Sequence, residues 1–267
     1  MAKKLKSGLF DITILLIIPI LATIISFIFK SNAFWSVILY FALPSVFLAF
    51  RRPKILLKTL LFSAIASIPT IIVVDYIAHA TGQWLIPETI LPFRLFGYVT
   101  LEVVLWAFFN FVVVILFYER FFDSHCSKKL YSKKIKNLII IVFSLISIFT
   151  VLMITDQRLL KIPYFYLVFG IFLVLVPTIR ELFSYRGLIS KFFITAAYFF
   201  FTTFMYEVTA LRLDWWRFPS DEFIGWIQVA GVRFPLEELI FWLVLFSMAI
   251  LTAFERFDDD KEVTYIQ

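Results

Sequence analysis

Gly231-Val-Arg-Phe-Pro235-Leu-Glu237-Glu238-Leu-Ile-Phe241-Trp242 sets two adjacent carboxylates behind a proline and ahead of an apolar run, Leu239 to Phe254, that carries no charge. Proline suits a first helical turn, where its missing N–H is not needed, and acids there complement the positive end of the helix dipole. Read locally, the stretch is a tidy helix start. The destination of that helix changes the reading, because an apolar run of this length enters a membrane, and ionisable groups at a membrane edge are costly unless used or paired.

The whole chain repeats the message. Of its 267 residues, 62% are hydrophobic and 20% aromatic, with seven glycines and a mean hydropathy of +0.94. No soluble domain of this size needs so much apolar surface, so the expected class is an all-α integral membrane protein. A spanning helix needs about 20 apolar residues, and eight candidates occur, near 9–29, 34–50, 56–78, 97–118, 135–155, 163–179, 188–210 and 234–254. The second and sixth are short for a span. Pro19, Pro44, Pro69 and Pro177 fall in or beside these runs and are expected to kink helices, which neighbouring helices tolerate in lipid. The first run lacks a small-residue cleavage signature and reads as a retained span, not a signal peptide.

The net charge of +6 does not point to nucleic acid, because the lysines sit in short loops between apolar runs. Lys30, Arg94, Arg158, Lys161, Arg212, Arg217 and Arg233 fall on one side of the membrane and the other 18 of the 25 basic residues on the opposite side. By the positive-inside rule both termini are cytoplasmic. The run Lys128 to Lys136 is then a topology determinant able to touch anionic lipid. The single Cys126 excludes an intramolecular disulfide and a multi-cysteine metal site. His79 and His125 fall on opposite sides, which argues against a histidine metal site; His79, close to Asp75, is a weak candidate for a proton relay.

The two halves resemble each other. An offset of 136 superimposes Glu102 on Glu238, Trp106 on Trp242, and Glu119-Arg120-Phe121 on Glu255-Arg256-Phe257. An offset of 135 instead matches Leu101-Glu102 to Leu236-Glu237, so Glu102 pairs with Glu237 or Glu238. Upstream, Asp75 corresponds to Glu207, and Trp84 to Trp215 or Trp216. The expected architecture is two tandem four-helix repeats, 1–125 and 134–258, with a polar tail at 259–267. An even number of spans per half makes the repeat parallel, so both halves present their carboxylates at one membrane face.

Asp75, Glu102, Glu207, Glu237 and Glu238 all fall at the outer ends of their helices. Glu102 and Trp106, like Glu238 and Trp242, are four apart and share a face, which Asn110 extends by another turn. A carboxyl held against aromatic rings in a dry site keeps its proton and can act as a strong acid. The competing reading is that Arg94, Arg212, Arg217 and Arg233 neutralise these acids. Trp84, Trp215 and Trp216 read more readily as an interfacial belt than as a site. Glu119-Arg120 and Glu255-Arg256 read as salt-bridged helix ends. No phosphate-cradling glycine loop, dinucleotide fingerprint or acid-rich Mg²⁺ motif is present.

Pro235-Leu-Glu237-Glu238 with Phe241, preceded by Trp226 and a glycine-bearing loop, resembles the proline–glutamate–glutamate motif of the lycopene cyclase domain family. This is the small integral-membrane type found as two subunits in some bacteria and fused into one chain elsewhere. The resemblance covers both halves, although Thr100-Leu-Glu102-Val103 in the first lacks the proline and one glutamate. It implies a carotenoid β-cyclase, an isomerase in carotenoid biosynthesis, acting on a carotenoid within a bacterial-type cytoplasmic membrane and open to association with other enzymes of that pathway. Glu237 or Glu238 would be the acid, its neighbour or Glu102 the base, Asp75 and Glu207 relays, and Trp106, Phe241 and Trp242 the cation-stabilising wall. The chemistry requires no cofactor, leaving a stimulatory reduced nucleotide or flavin open. Rival readings are a cyclase of longer carotenoids or of ε- or γ-rings, a proton-coupled transporter, and an assembly protein.

Overall fold

A computed structural model describes residues 2–123 and 133–257. His125, Cys126, most of the basic run from Lys128, the proposed boundary near residue 125 and the tail at 259–267 lie outside the described residues. The long helices are α1 (Ala2–Phe29), α2 (Ala33–Arg51), α3 (Leu56–Ala80), α4 (Leu101–Phe121), α5 (Lys133–Thr155), α6 (Phe165–Ser184) and α7 (Ile189–Arg212). Among the described residues seven helices are long and apolar enough to cross a membrane. The chain closes with a π-helical segment, Glu238–Val244, and α8 (Phe246–Phe257), bent by 49° and together long enough for an eighth span.

Local chemistry explains the starts and breaks. Asn32 caps α2 by accepting the Trp35 amide at 3.1 Å, and Thr100 caps α4 by accepting the Val103 amide at 3.4 Å, each satisfying a helix-start N–H. Both short spans carry a widened π turn just before a proline: Ile38–Ala42 ahead of Pro44, and Gly170–Leu175 ahead of Pro177. Proline clashes with the carbonyl four residues back, here Tyr40 and Leu173, and a wider turn relieves the clash without ending the helix.

The packing has a regular pattern. Helix α3 lies against α4 and α7 against α8; α2 lies against α4 and α6 against α8. Helix α5 rests on α3, while α1 rests on α7, and α4 meets α8 at the centre. Each of these pairings has a counterpart four helices on, α1 packing against α7 as α5 packs against α3. Helix α5 is largely exposed, with Phe143 and Ile154 outward, as a lipid-facing helix requires.

One end of the bundle is closed by ion pairs. Asp11, fully buried, takes Arg51 at 2.9 Å and Arg120 at 2.6 Å. Glu119 pairs with Arg52 at 3.1 Å. The salt-bridged helix end expected there is present, but its bridges tie α1, α2 and α4 together. Asp11 carried no signal in the sequence beyond being an acid in an apolar run.

The other end is covered by the α3–α4 and α7–α8 connections. Here the structure departs from an all-helical reading. A two-stranded hairpin, β1 (Trp226–Val229) and β2 (Val232–Pro235), precedes the glutamates. Its two-residue turn, Ala230-Gly231, has φ of 49° and 71°, the left-handed pair that matches strand twist. Gly231 is doubly constrained, since a Cβ there would meet the Arg212 guanidinium, whose Nη2 donates to the Ala230 carbonyl at 2.5 Å. Pro235 therefore ends a strand, pairing with Trp226, and the final helix begins after it.

Candidate functional site

Between α2, α3, α4, α6, α7 and the bent final helix lies a cavity of about 730 Å³ counted with the open space at its mouth. Asp75, Glu102, Glu207 and Glu238 line it, with Trp106, Trp242, Trp84, Trp216, Tyr166 and Tyr206. Four of the five carboxylates singled out in the sequence, from four different helices, thus share one space. All four are at most 5% exposed. Among the described residues no three His, Cys, Asp or Glu side chains gather closely enough to hold a metal ion, so the acids are spread round the wall.

Each acid is held differently. Thr89 Oγ1 donates to both oxygens of Glu102, at 2.9 and 2.8 Å, and the Ile90 amide donates to Oε1 at 2.5 Å. Glu207 Oε1 accepts the indole N–H of Trp216 at 3.2 Å. Glu238 Oε2 is buried with no hydrogen-bond partner among the described residues. Asp75 meets His79, whose Nδ1 lies 3.3 Å from Oδ1 and 3.1 Å from the Asp75 carbonyl. His79 Nε2 accepts the Ile86 amide at 3.3 Å, which fixes the tautomer: Nδ1 carries the proton and points to Asp75. The weak relay candidate is therefore in contact with a cavity acid.

Glu237 is not at the cavity. It is fully buried, and its Oε1 accepts the Ile224 amide at 2.7 Å. This matches Glu102, whose amide donor is also in the preceding connection. Adjacent helical residues point in different directions, so only one of the two glutamates can face inward. Phe241 and Asn110 also lie outside the lining. Trp242, four residues after Glu238, keeps the same face, while Phe241, three after it, is turned to α6, where a Cβ on Gly170 would strike its ring. Asn110 is buried one turn below Trp106, with Nδ2 unpartnered among the described residues.

Among the described residues none of the four arginines forms an ion pair with a cavity acid. Arg94 donates to the Ile86 and Tyr98 carbonyls, Arg212 to Ala230, and Arg217 pairs with Asp214. Arg233 lies 4.2 Å over the Trp226 ring. Among the described residues Glu102, Glu207 and Glu238 have no ion-pair partner. The tryptophan belt is likewise overturned. Trp215 and Trp216 are about 95% buried, Trp215 donates to the Ser31 carbonyl at 2.6 Å, and Trp84 stacks on Trp216 with centroids 5.2 Å apart. Beside that stack, Leu85 and Arg217 exchange two backbone hydrogen bonds at 3.0 and 2.8 Å. Trp84 and Trp216 each follow a cavity acid, Asp75 or Glu207, by nine residues, a spacing readable in the sequence.

The aromatic wall is continuous. Trp106 and Trp242 are 5.7 Å apart, Trp242 stacks on Phe169 at 5.4 Å, and Tyr206 meets Trp216 at a tilt, with centroids 5.1 Å apart. Tyr166 and Thr89, both unforeseen, are placed by tertiary contacts alone: the Tyr166 amide donates to Gln83 Oε1 at 3.0 Å. Compared with protein-family models, curated proteins and solved structures, the chain has no match.

Proposed function

We propose that this protein is an integral-membrane carotenoid cyclase that closes the linear ends of lycopene to β-ionone rings. The observation that carries the reading is the single cavity in which four buried carboxyl groups face the rings of Trp106 and Trp242. The reaction is an isomerisation without net redox change, so it asks for an acid, a base and a dry wall able to face a cation. A proton adds at C2 of the terminal double bond. The C5=C6 bond then attacks the resulting cation, and loss of the C6 proton leaves the ring double bond.

Hydrogen bonding divides the roles. Glu238, whose Oε2 has no partner among the described residues and which has neither the histidine beside Asp75 nor the amide held by Glu237, is the acid. Glu102 is the base, because the Thr89 hydroxyl and Ile90 amide already present the donors that a carboxylate accepts. Asp75 with His79, and Glu207 with Trp216, are relays. Ring faces of Trp106 and Trp242 contribute about 2 kcal/mol per cation contact when desolvated. Glu237 positions the acid by tying the final helix to the Ile224 amide.

The eight-span, two-repeat architecture belongs to the same proposal. It is supported by the paired π turns before Pro44 and Pro177, by helix pairings that recur four helices on, and by the Trp84–Trp216 stack. Glu102 and Glu237, each taking an amide from its preceding connection, become the matching pair, which is the 135 offset; Glu238 then stands opposite Val103. The acid is thus contributed by one half and the base by the other.

Expression in a lycopene-accumulating bacterial host tests the reading. Cyclisation converts lycopene to γ- or β-carotene, with solvent deuterium entering the ring. Unchanged lycopene beside folded, membrane-inserted protein refutes lycopene as substrate.

A further inference from the structure

Helical hydroxyls in this chain ordinarily bond the carbonyl four residues back. Ser45 does so at 2.7 Å, Thr195 at 2.9 Å, Thr203 at 2.7 Å and Thr209 at 2.7 Å. That is the usual refuge of a hydroxyl inside a span. Among the described residues eight buried hydroxyl or amide side chains on helices depart from it, Ser26 on α1 and Thr178 on α6 being two of them. The other six, Thr59, Ser63 and Ser67 on α3, Ser247 and Thr252 on the final helix, and Asn110 through Nδ2 on α4, likewise have no hydrogen-bond partner among the described residues, though each is at most 4% exposed. Polar atoms in that state are costly, and so many in one region require an occupant.

Their positions are ordered. Thr59, Ser63 and Ser67 form an i+4 ladder on α3, and the next rungs, Ile71 and Asp75, line the carboxylate cavity. Asn110 continues the face of Glu102 and Trp106, and Ser247 lies four residues beyond Leu243, which also lines the cavity. Helix α4 packs against both α3 and α8, and at the lower end Phe62 and Phe254 bring α3 and α8 together at 5.1 Å. The ladder ends beside Lys58, buried and 5.9 Å over the Phe254 ring. From Thr59 to Asp75 is 16 residues, about 24 Å of helix.

We infer that these six side chains hold a file of water that joins the carboxylate cavity to the Lys58 end of the bundle. Water is the ligand their chemistry fits: each hydroxyl offers one donor and two acceptor sites, and a buried water needs two to four polar partners. The file gives the cavity acids a route for proton exchange with one membrane face. Neither the water file nor its test rests on the carotenoid reading.

The test is hydrogen exchange at a thiol placed on the ladder. In the full chain with Cys126→Ser, reconstituted in phosphatidylcholine nanodiscs, Ser63→Cys and Ser67→Cys are compared with Ser45→Cys. The S–H infrared band is followed after transfer to D₂O. A water file converts S–H to S–D at positions 63 and 67 at least tenfold faster than at the back-bonded, equally buried position 45. Equal rates in variants that keep the wild-type melting temperature overturn the inference. A second reading avoids the thiol: Ser63→Ala leaves the melting temperature unchanged or lower if the hydroxyl holds water. A raised melting temperature, as expected when a dry orphan hydroxyl is removed, overturns it.

Discussion

Gly170→Ala is the sharpest probe of how the final helix is seated. In the structure a Cβ at 170 would fall on the Phe241 ring, meeting Cγ, Cδ2 and Cε2. The ring cannot swing aside cheaply: Phe241 is 3% exposed, and its neighbour Trp242 is fixed by the stack on Phe169 and the contact with Trp106. Relief must come from shifting α6 or the Glu238–Val244 segment, and overpacking of this kind costs about 1–3 kcal/mol. For a chain of this size that lowers the melting temperature by about 2–12 °C. The same shift carries Glu238, three residues earlier, off its place in the cavity, so on the proposed cyclase reading turnover falls with stability. Adding Phe241→Leu makes room for the new methyl, and the double variant recovers stability relative to Gly170→Ala, a coupling of about 0.5–3 kcal/mol. Thermal melts in nanodiscs of the wild type, two singles and the double measure it. Wild-type melting of Gly170→Ala, or strictly additive singles, would refute the seating of Phe241 on Gly170.

Other consequences are equally direct. On the proposed cyclase reading, Thr89→Val removes the hydroxyl that donates to both oxygens of Glu102 and should lower turnover, with Thr89→Ser retaining most of it; equal loss in both variants would remove Thr89 from the base. Trp216→Phe keeps the stack on Trp84 but removes the N–H given to Glu207, so turnover should fall while melting changes little, read side by side in one preparation. At the surface, Arg217 holds the Asp214 carboxyl below its ordinary value through hydrogen bonding. Because the folded value is depressed, the small stabilisation is present above the unfolded value near about pH 4 and is lost as pH falls through the folded one. Asp214→Asn should therefore flatten the acid limb of a melting-temperature profile slightly, and less so in high salt.

The spans were legible because length and apolar content decide them: seven long apolar helices lie where the runs place them, with ends shifted by a few residues. What the sequence concealed was geometry within uniformly apolar stretches. Nothing in Leu239 to Phe254 marks a 49° bend at Leu245, and the π turns before Pro44 and Pro177 leave only the prolines as a trace. The hairpin at 226–235 was hidden because Pro235 and the following acids mimic a helix start, although Ala230-Gly231 carried a turn signal. In the site, Asp75, Glu102, Glu207 and Glu238 were readable from their recurrence. The choice between Glu237 and Glu238 was not, because it depends on which residue the hairpin delivers to the Ile224 amide. Trp84 and Trp216 belong to the wall and not to a membrane belt, and their nine-residue distance from Asp75 and Glu207 is the trace of it in the sequence. Thr89 had no pattern to betray it, since only the path of a connecting loop brings it to Glu102.

The most direct test of a proton-initiated cyclisation in this cavity compares Glu238→Gln with Glu237→Gln in a lycopene-accumulating host, beside the wild type and with folding checked in the membrane. Glutamine keeps the size of each side chain and removes the titrating proton. Cyclase chemistry with Glu238 as acid predicts that the wild type makes cyclic carotene, that Glu238→Gln leaves lycopene unconverted, and that Glu237→Gln, which keeps an oxygen for the Ile224 amide, still cyclises at a reduced rate. Full conversion by a folded Glu238→Gln protein would contradict it.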